Sequence, residues 1–221
     1  MTFESDEEKF AAIRGKLYTA VVSDVLDSLG FREQVMRHDI RTLHPDHVVI
    51  GRARTLLWVD VYEIREDPYQ NVIRAVDSLK PGDVCVHSTD YSWHSACWGE
   101  LLSHAAKKRG ATGAILDRLV RDVKEIVALG FPVFARGVKP TDSSGRSQVV
   151  DLDVVISCGD VMVHPGELVL GDYDGIVVIP REAEDEALAK ALEKVAGENL
   201  TRQRISEGKL LQQVYEEYGI L

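Results

Sequence analysis

Two short stretches of this 221-residue sequence carry residue types that can do chemistry together. The first is Gly99-Glu100-Leu101-Leu102. A glycine at a helix start lets a ligand approach the backbone, and first-turn amides, which have no intrahelical acceptor, bind anions such as a carboxylate. The same four residues also read as a plain helix start, with Glu100 complementing the dipole. The second stretch is Arg121-Asp122. The planar fork of Arg121 matches a carboxylate or an oxo-carboxylate pair, and Asp122 is a hard oxygen ligand suited to Mg²⁺ or Mn²⁺. Alone, the pair reads equally well as a surface ion pair at a helix start, worth little in stability.

Other residues carry weaker signals. His94, in Trp93-His94-Ser95-Ala96-Cys97-Trp98, has the chemistry of a general acid or base but sits in a loop, where histidines are usually structural. Cys97 lies in no motif that argues for a thiolate nucleophile. His164 reads as a strand-end residue, and Asp172 and Asp174 as fixing a tight turn. A Schiff-base mechanism needs a lysine in an apolar pocket, yet Lys16, Lys80, Lys107, Lys108, Lys124 and Lys139 all lie among polar residues or at turns.

The elements that position these residues follow from hydrophobic period and punctuation. Helices are predicted over Asp6 to Gly15 and Thr19 to Leu29, the second capped by Thr19 and stopped by Gly30. Val48 to Gly51, Thr55 to Val59 and Val84 to Val86 read as strands. Helix over Gly99 to Arg109, strand over Gly113 to Asp117, helix over Val120 to Leu129 and strand over Phe131 to Ala135 follow. This alternation predicts an α/β core whose second candidate site lies outside the carboxyl end of a strand. Short strands at Asp153 to Ile156, Val161 to Val163 and Gly175 to Pro180 have sandwich or barrel texture. A charged helix from Glu182 to about Arg204 closes the chain. It is read either as solvated or as reaching a neighbouring subunit.

The formal net charge of −10 opposes binding to nucleic acid or to an anionic membrane surface, so an anionic substrate needs a local cation. The acidic N-terminus has no signal-peptide apolar region, and no stretch has the length of a membrane span. Three well-separated cysteines read as reduced cytosolic thiols, and a cytoplasmic location is expected.

Glu100, twenty intervening residues and Arg121-Asp122 resemble the acidic-x20-Arg-Asp signature of class II pyruvate aldolases of the RraA-like family. Those are the 4-hydroxy-4-methyl-2-oxoglutarate and 4-carboxy-4-hydroxy-2-oxoadipate aldolases. The resemblance extends over most of the chain, through Val22-Ser23-Asp24-Val25-Leu26-Asp27, Gly51-Arg52-Ala53-Arg54-Thr55, Pro81-Gly82-Asp83-Val84, Trp98-Gly99-Glu100-Leu101-Leu102, Phe131 to Arg136, Pro165-Gly166-Glu167-Leu168 and Asp172-Tyr173-Asp174-Gly175. It implies a single 1–221 domain with an RraA-like swivelling β/β/α core: N-terminal helices over 1–30, the core over 48–180 and a C-terminal helical extension over 182–221. It implies that backbone amides of Gly99 to Leu102 hold a pyruvyl carboxylate, Arg121 the C2 oxygen, Asp122 a divalent metal (Mg²⁺ or Mn²⁺) and Glu100 a water on that metal. The implied reaction cleaves a 4-hydroxy-2-oxo acid to pyruvate through a metal-stabilised enolate, with oxaloacetate decarboxylation as a side activity. A homotrimer or homohexamer is expected, and Glu198, rather than Glu193, is matched to a glutamate that a neighbouring subunit contributes. The family also includes ribonuclease-inhibiting regulators, so a protein-binding regulator is an alternative, as is a lyase for another 2-oxo acid. One departure stands out: the family keeps glycine after the strand aspartate, where this chain has Arg118, a possible second cation for a distal carboxylate.

Overall fold

The computed structural model describes residues 5–88 and 91–219. Their elements are α1 (Asp6–Ile13), α2 (Thr19–Ser28), β1 (Arg41–Thr42), β2 (Val49–Asp60), α3 (Gln70–Asp77), β3 (Asp83–His87), β4 (Ala96–Trp98), α4 (Glu100–Lys108), β5 (Gly113–Val120), α5 (Val123–Leu129), β6 (Val133–Val138), β7 (Ser147–Leu152), β8 (Ile156–Cys158), β9 (Val161–Val163), β10 (Leu168–Gly171), β11 (Ile176–Ile179), α6 (Glu184–Ser206) and α7 (Leu211–Tyr218). The fold is α/β, as expected. The outer ends of the expected 1–30 and 182–221 segments lie outside the described residues.

The two strands expected at Val48–Gly51 and Thr55–Val59 are one 12-residue strand, β2. Its middle escapes a simple apolar reading because side chains alternate between faces. Ala53 is buried, while Arg52 pairs with Asp6 and Glu184, and Arg54 with Asp153 and Asp83. β2, β3, β5 and β6 are parallel neighbours, and α3, α4 and α5 make the crossovers between them. The strands of the last third do not form a separate sandwich: β10 and β11 extend this sheet beyond the first half of β2, and β7 pairs with its second half. Only β8 and β9 stand apart, as a two-stranded hairpin.

β5 is longer than its sequence indicates. It continues past Asp117 to Val120, and α5 starts at Val123 instead of Val120. Its pairing with β6 shifts between Leu116↔Ala135 and Leu119↔Gly137, so Asp117 and Arg118 form a bulge that spends one extra residue. Asp117 is fully buried; it accepts from Arg37 (2.7 Å) and the Gly159 amide (2.8 Å), with Arg136 at 3.5 Å. Arg118 is buried too, 5.3 Å over the Trp58 ring and 3.5 Å from Asp60. Its φ is not positive, so arginine occupies ordinary backbone at this position and no glycine is required there.

Three apolar layers hold the frame. One packs α3, α4 and α5 on the parallel strands, a second packs β8 and β9 on the opposite face, and a third packs α1, α2 and α6 on β10 and β11. The cap of α2 comes from far away: Thr19 donates its amide (2.8 Å) and hydroxyl (2.6 Å) to Asp172, in the β10–β11 turn. Asp172 thus does more than fix its own turn, although it also accepts from the Asp174 amide. α6 covers its own chain through Ala187, Leu188 and Ala191, and α7 follows it as an additional helix.

Glu184 ties the two ends of the chain to β2 by accepting hydrogen bonds from Lys9 and Arg52. Burial pushes its carboxyl pKa up, but those cationic donors outweigh burial and hold it below 4.5. The folded state therefore gains from ionised Glu184 above pH about 4.5 and loses that gain as the pH falls through the lowered value. Glu184→Gln should lower the unfolding free energy at pH 7 by about 1–3 kcal/mol. In urea titrations the gap between variant and parent should narrow below pH 4.5.

Candidate active site

The site begins where two strands end side by side. β4 runs parallel to the last residues of β5, with Ala96 opposite Leu119 and Trp98 opposite Val120. The Arg121 amide closes the pairing by donating to the Trp98 carbonyl at 3.0 Å. Each strand then turns into a helix, so the N-termini of α4 and α5 face one another. Glu100, Arg121 and Asp122, distant in sequence, meet at this junction.

Gly99 is the N-cap of α4, and the first helical bond runs from the Ser103 amide to its carbonyl. The Ser103 hydroxyl also donates to that carbonyl and accepts from the Trp98 indole at 2.8 Å, fixing the turn from within. Asp122 is the N-cap of α5 with φ 59° and ψ 37°, a left-handed conformation that costs a non-glycine residue about 1 kcal/mol or more. Instead of capping its own helix, Asp122 points its carboxylate across the junction: Oδ2 accepts from the Glu100 amide at 3.2 Å and lies 3.7 Å from Arg121 Nε. The expected anion-binding amides therefore divide. The Glu100 amide is engaged by Asp122, while those of Leu101 and Leu102 lie in the first turn with no intrahelical acceptor. The Glu100 carboxylate pairs with His104, one turn on, at 3.3 Å.

Arg121 reaches over the junction to Asp142, 3.2 Å from its Nη1. Burial works against ionisation of Asp142, but hydrogen bonds from the Tyr69 hydroxyl and the Ser144 amide, with the charge of Arg121, hold its pKa below the usual carboxylate range. Beside Arg121 a cavity of about 410 Å³ opens between α3 and α4. Gly99, Leu101, Leu102 and Arg121 line it together with Trp58, Val72, Ile73 and Trp98, and Tyr69, Asp142 and Ser143 add polar groups. A mostly apolar hollow with a few convergent polar groups is the usual form of a small-molecule site.

The remaining sequence candidates lie elsewhere. His94 is exposed, 4.0 Å from Asp60, and does not line the cavity. His164 lies at the corner before β10, also outside it. Glu198 accepts from Tyr18 of its own chain and is not among the cavity residues. Arg118 is not among the cavity residues; it lies over the ring of Trp58, which is.

A histidine that sequence reasoning passed over sits against the same wall. His87 is fully buried, and its Nδ1 lies 3.6 Å from Cys97 Sγ, the approach of a thiol–imidazole dyad. That nitrogen already accepts from the Trp58 indole at 2.8 Å, so it has no lone pair left for the thiol proton. Burial, with the charge of Arg118, drives the His87 pKa down to about 3. Cys97 donates to the Leu119 carbonyl instead, and the group reads as packing beneath the site.

Among the described residues no cluster of three or more His, Cys, Asp or Glu side chains exists that would hold a metal. Asp122 alone, half-exposed beside Arg121, suits a cation that keeps most of its water, as Mg²⁺ does, and not zinc with its three or four protein ligands. A Cβ built on Gly99 would lie 2.6 Å from Asp122 Oδ2. Its φ of −161° is ordinary extended backbone, and the obstacle is the tip of a mobile side chain. Gly99→Ala should therefore leave the unfolding free energy within about 1 kcal/mol of the parent. A crystal structure of the variant should show the Asp122 carboxylate swung away from the Glu100 amide.

Residues 19–178 match the sequence model of the RraA-like family, described as Aldolase/RraA. A protein of Halalkalibacterium halodurans named "Putative 4-hydroxy-4-methyl-2-oxoglutarate aldolase" is 32% identical over 199 residues, covering 90% of each chain. Among solved structures, an uncharacterised protein from Pseudomonas syringae pv. tomato superposes with a TM-score of 0.86 at 26% identity, over 99% of both chains. Streptomyces coelicolor RraAS2, described as an unusual member of the RNase ES inhibitor RraA protein family, superposes with a TM-score of 0.82 at 28% identity, covering 91% of this chain and 100% of its own.

Proposed function

The chain belongs to the RraA-like family, and from that membership we propose that it is a divalent-metal-dependent aldolase that cleaves a 4-hydroxy-2-oxo acid to pyruvate. The observation that carries this reading is the meeting of Asp122, Arg121 and the first turn of α4 at one junction, where Arg121, Gly99, Leu101 and Leu102 also line a cavity. An aldolase of this kind must hold a 2-oxo carboxylate and stabilise the negative charge that appears on the C2 oxygen as the C3–C4 bond breaks.

The residues divide that work. The Leu101 and Leu102 amides, at the positive end of the α4 dipole, receive the substrate carboxylate. Arg121 aims its guanidinium at the C2 oxygen, where it is worth more in the bond-breaking state than in the ground state. Glu100, partnered by His104, takes the C4 hydroxyl proton through an intervening water. The electron pair of the C3–C4 bond moves to the C2 oxygen, C4 leaves as a carbonyl, and protonation at C3 completes pyruvate. Asp122 is the ligand for the cation, which when bound supplies Lewis-acid polarisation of the 2-oxo group. The same enolate follows loss of CO₂ from oxaloacetate, hence decarboxylation as a side activity.

A second reading, a regulator that binds a ribonuclease, is favoured by the superposition on RraAS2. Pyruvate release from 4-hydroxy-4-methyl-2-oxoglutarate and from oxaloacetate, measured with Mg²⁺ and with EDTA, separates the two. Release should depend on Mg²⁺, and Asp122→Asn should lower kcat/KM by roughly 10³-fold or more, the scale for removing a group that supports the developing charge. Release that persists in EDTA would sink the metal mechanism. No release, with ribonuclease inhibition lost in Asp122→Ala, would favour the regulator. We read the assembly as a cytoplasmic homotrimer or homohexamer, and light scattering should return three or six times the 24.6 kDa chain mass.

A further inference from the structure

We propose that Asp142 is the positioning residue for Arg121, holding its guanidinium in place before charge develops on the C2 oxygen; this rests on the reading of Arg121 as the cation for that oxygen. The end of β5 fixes the backbone of Arg121, but its side chain is half-exposed and has several free torsions. Two carboxylates bracket it: Asp122 Oδ2 lies 3.7 Å from Nε, and Asp142 Oδ1 lies 3.2 Å from Nη1. Each meets a different nitrogen, and a guanidinium with five N–H donors has donors left over for an oxyanion.

Asp142 is itself anchored through its other oxygen. Oδ2 accepts from the Tyr69 hydroxyl and, at 2.9 Å, from the Ser144 amide, so that Oδ1 is the oxygen presented to Arg121. The loop that carries it is tied to the junction: the Ala96 amide donates to the Thr141 carbonyl at 2.8 Å, and Ala96 stands opposite Leu119 of β5. β4 thus sets both the start of α4 and the residue beside Asp142. For stability such a partly exposed pair is worth little. For substrate binding it is a cost, since a carboxylate beside the cation weakens the pull on an anion. What the arrangement supplies is a cation with few orientations left, which need not be ordered during the reaction.

Asp142→Asn isolates this role. The amide oxygen of asparagine can keep the Tyr69 and Ser144 hydrogen bonds, while its NH2 group, a donor, faces Arg121 and cannot hold it. With Mg²⁺ and 4-hydroxy-4-methyl-2-oxoglutarate, kcat should fall roughly tenfold or more, while KM stays level or falls because a repelling charge has gone. Tyr69→Phe, which loosens Asp142 but keeps its charge, should lower kcat by about two- to fivefold. The hold can also be read without substrate or metal, as the rate of rotation about the Arg121 Cζ–Nε bond. NMR on arginine-labelled protein gives that rate, with Arg121→Lys assigning the signal. Rotation should be roughly two- to fivefold faster in Asp142→Asn. Unchanged rotation, an unchanged kcat, or a kcat loss with a matching rise in KM overturns the proposal. If the parent forms no pyruvate while rotation quickens in the variant, the aldolase reading falls and the anchored guanidinium remains.

Discussion

The pairing of three residues of β4 with the end of β5 is the constraint on which the site depends. Parallel strands that finish together deliver two helix N-termini to one place, and the hydrogen bond from the Arg121 amide to the Trp98 carbonyl locks that coincidence at 3.0 Å. Everything polar at the junction then follows from backbone. The Asp122 carboxylate can reach the Glu100 amide because Gly99 has no side chain in between and because Asp122 itself sits in a left-handed turn. A local cost at Asp122 is tolerated where a paired strand before it and a helix after it over-determine its conformation.

Beneath that junction the protein buries more charge than stability alone requires. The bulge in β5 separates Asp117 and Arg118 onto partners that do not overlap: Asp117 to Arg37, Arg136 and Gly159, and Arg118 to Trp58 and Asp60. Buried ion pairs seldom add net free energy over apolar packing, but each fixes a geometry, because any other arrangement strands a charge in a dry interior. Trp58 gains most from this. It is held by Arg118 on its ring and by His87 on its indole nitrogen, and it presents a rigid apolar wall to the cavity.

Much of this was legible in the sequence. Gly99-Glu100 and Arg121-Asp122 could be read because glycine, dipole and hard-ligand chemistry are local properties, and because the helices and strands around them keep their hydrophobic period. The end of β5 was misread by three residues for a physical reason: Asp117 and Arg118 look like a strand terminus when their partners, on distant segments, are unknown. The same holds for the cap of α2, which Asp172 supplies from a turn far along the chain, and for the unity of β2, whose central arginines are neutralised by Asp6, Glu184, Asp83 and Asp153. The cavity walls carried no signal. Tyr69 and Ile73 come from the start of α3 and Asp142 from a loop far along the chain, and nothing in their neighbourhoods marks them as neighbours of Arg121.

The layer formed by α1, α2 and α6 has a consequence for how the protein is made. Lys9 and Glu184, whose contact helps close that layer, are 175 residues apart. At ordinary translation speeds of about 5–20 residues per second, roughly 9 to 35 s pass between the synthesis of the first partner and the second. Throughout that interval Val21, Val22 and Leu26 have no α6 to cover them, although the sheet centre from β2 to β6 is already available to fold. The parallel strands are thus complete early, before the layer of α1, α2 and α6 can close. The N-terminal helices wait for α6 to emerge, and during that wait the nascent chain offers chaperones and aggregation partners the apolar face of α2.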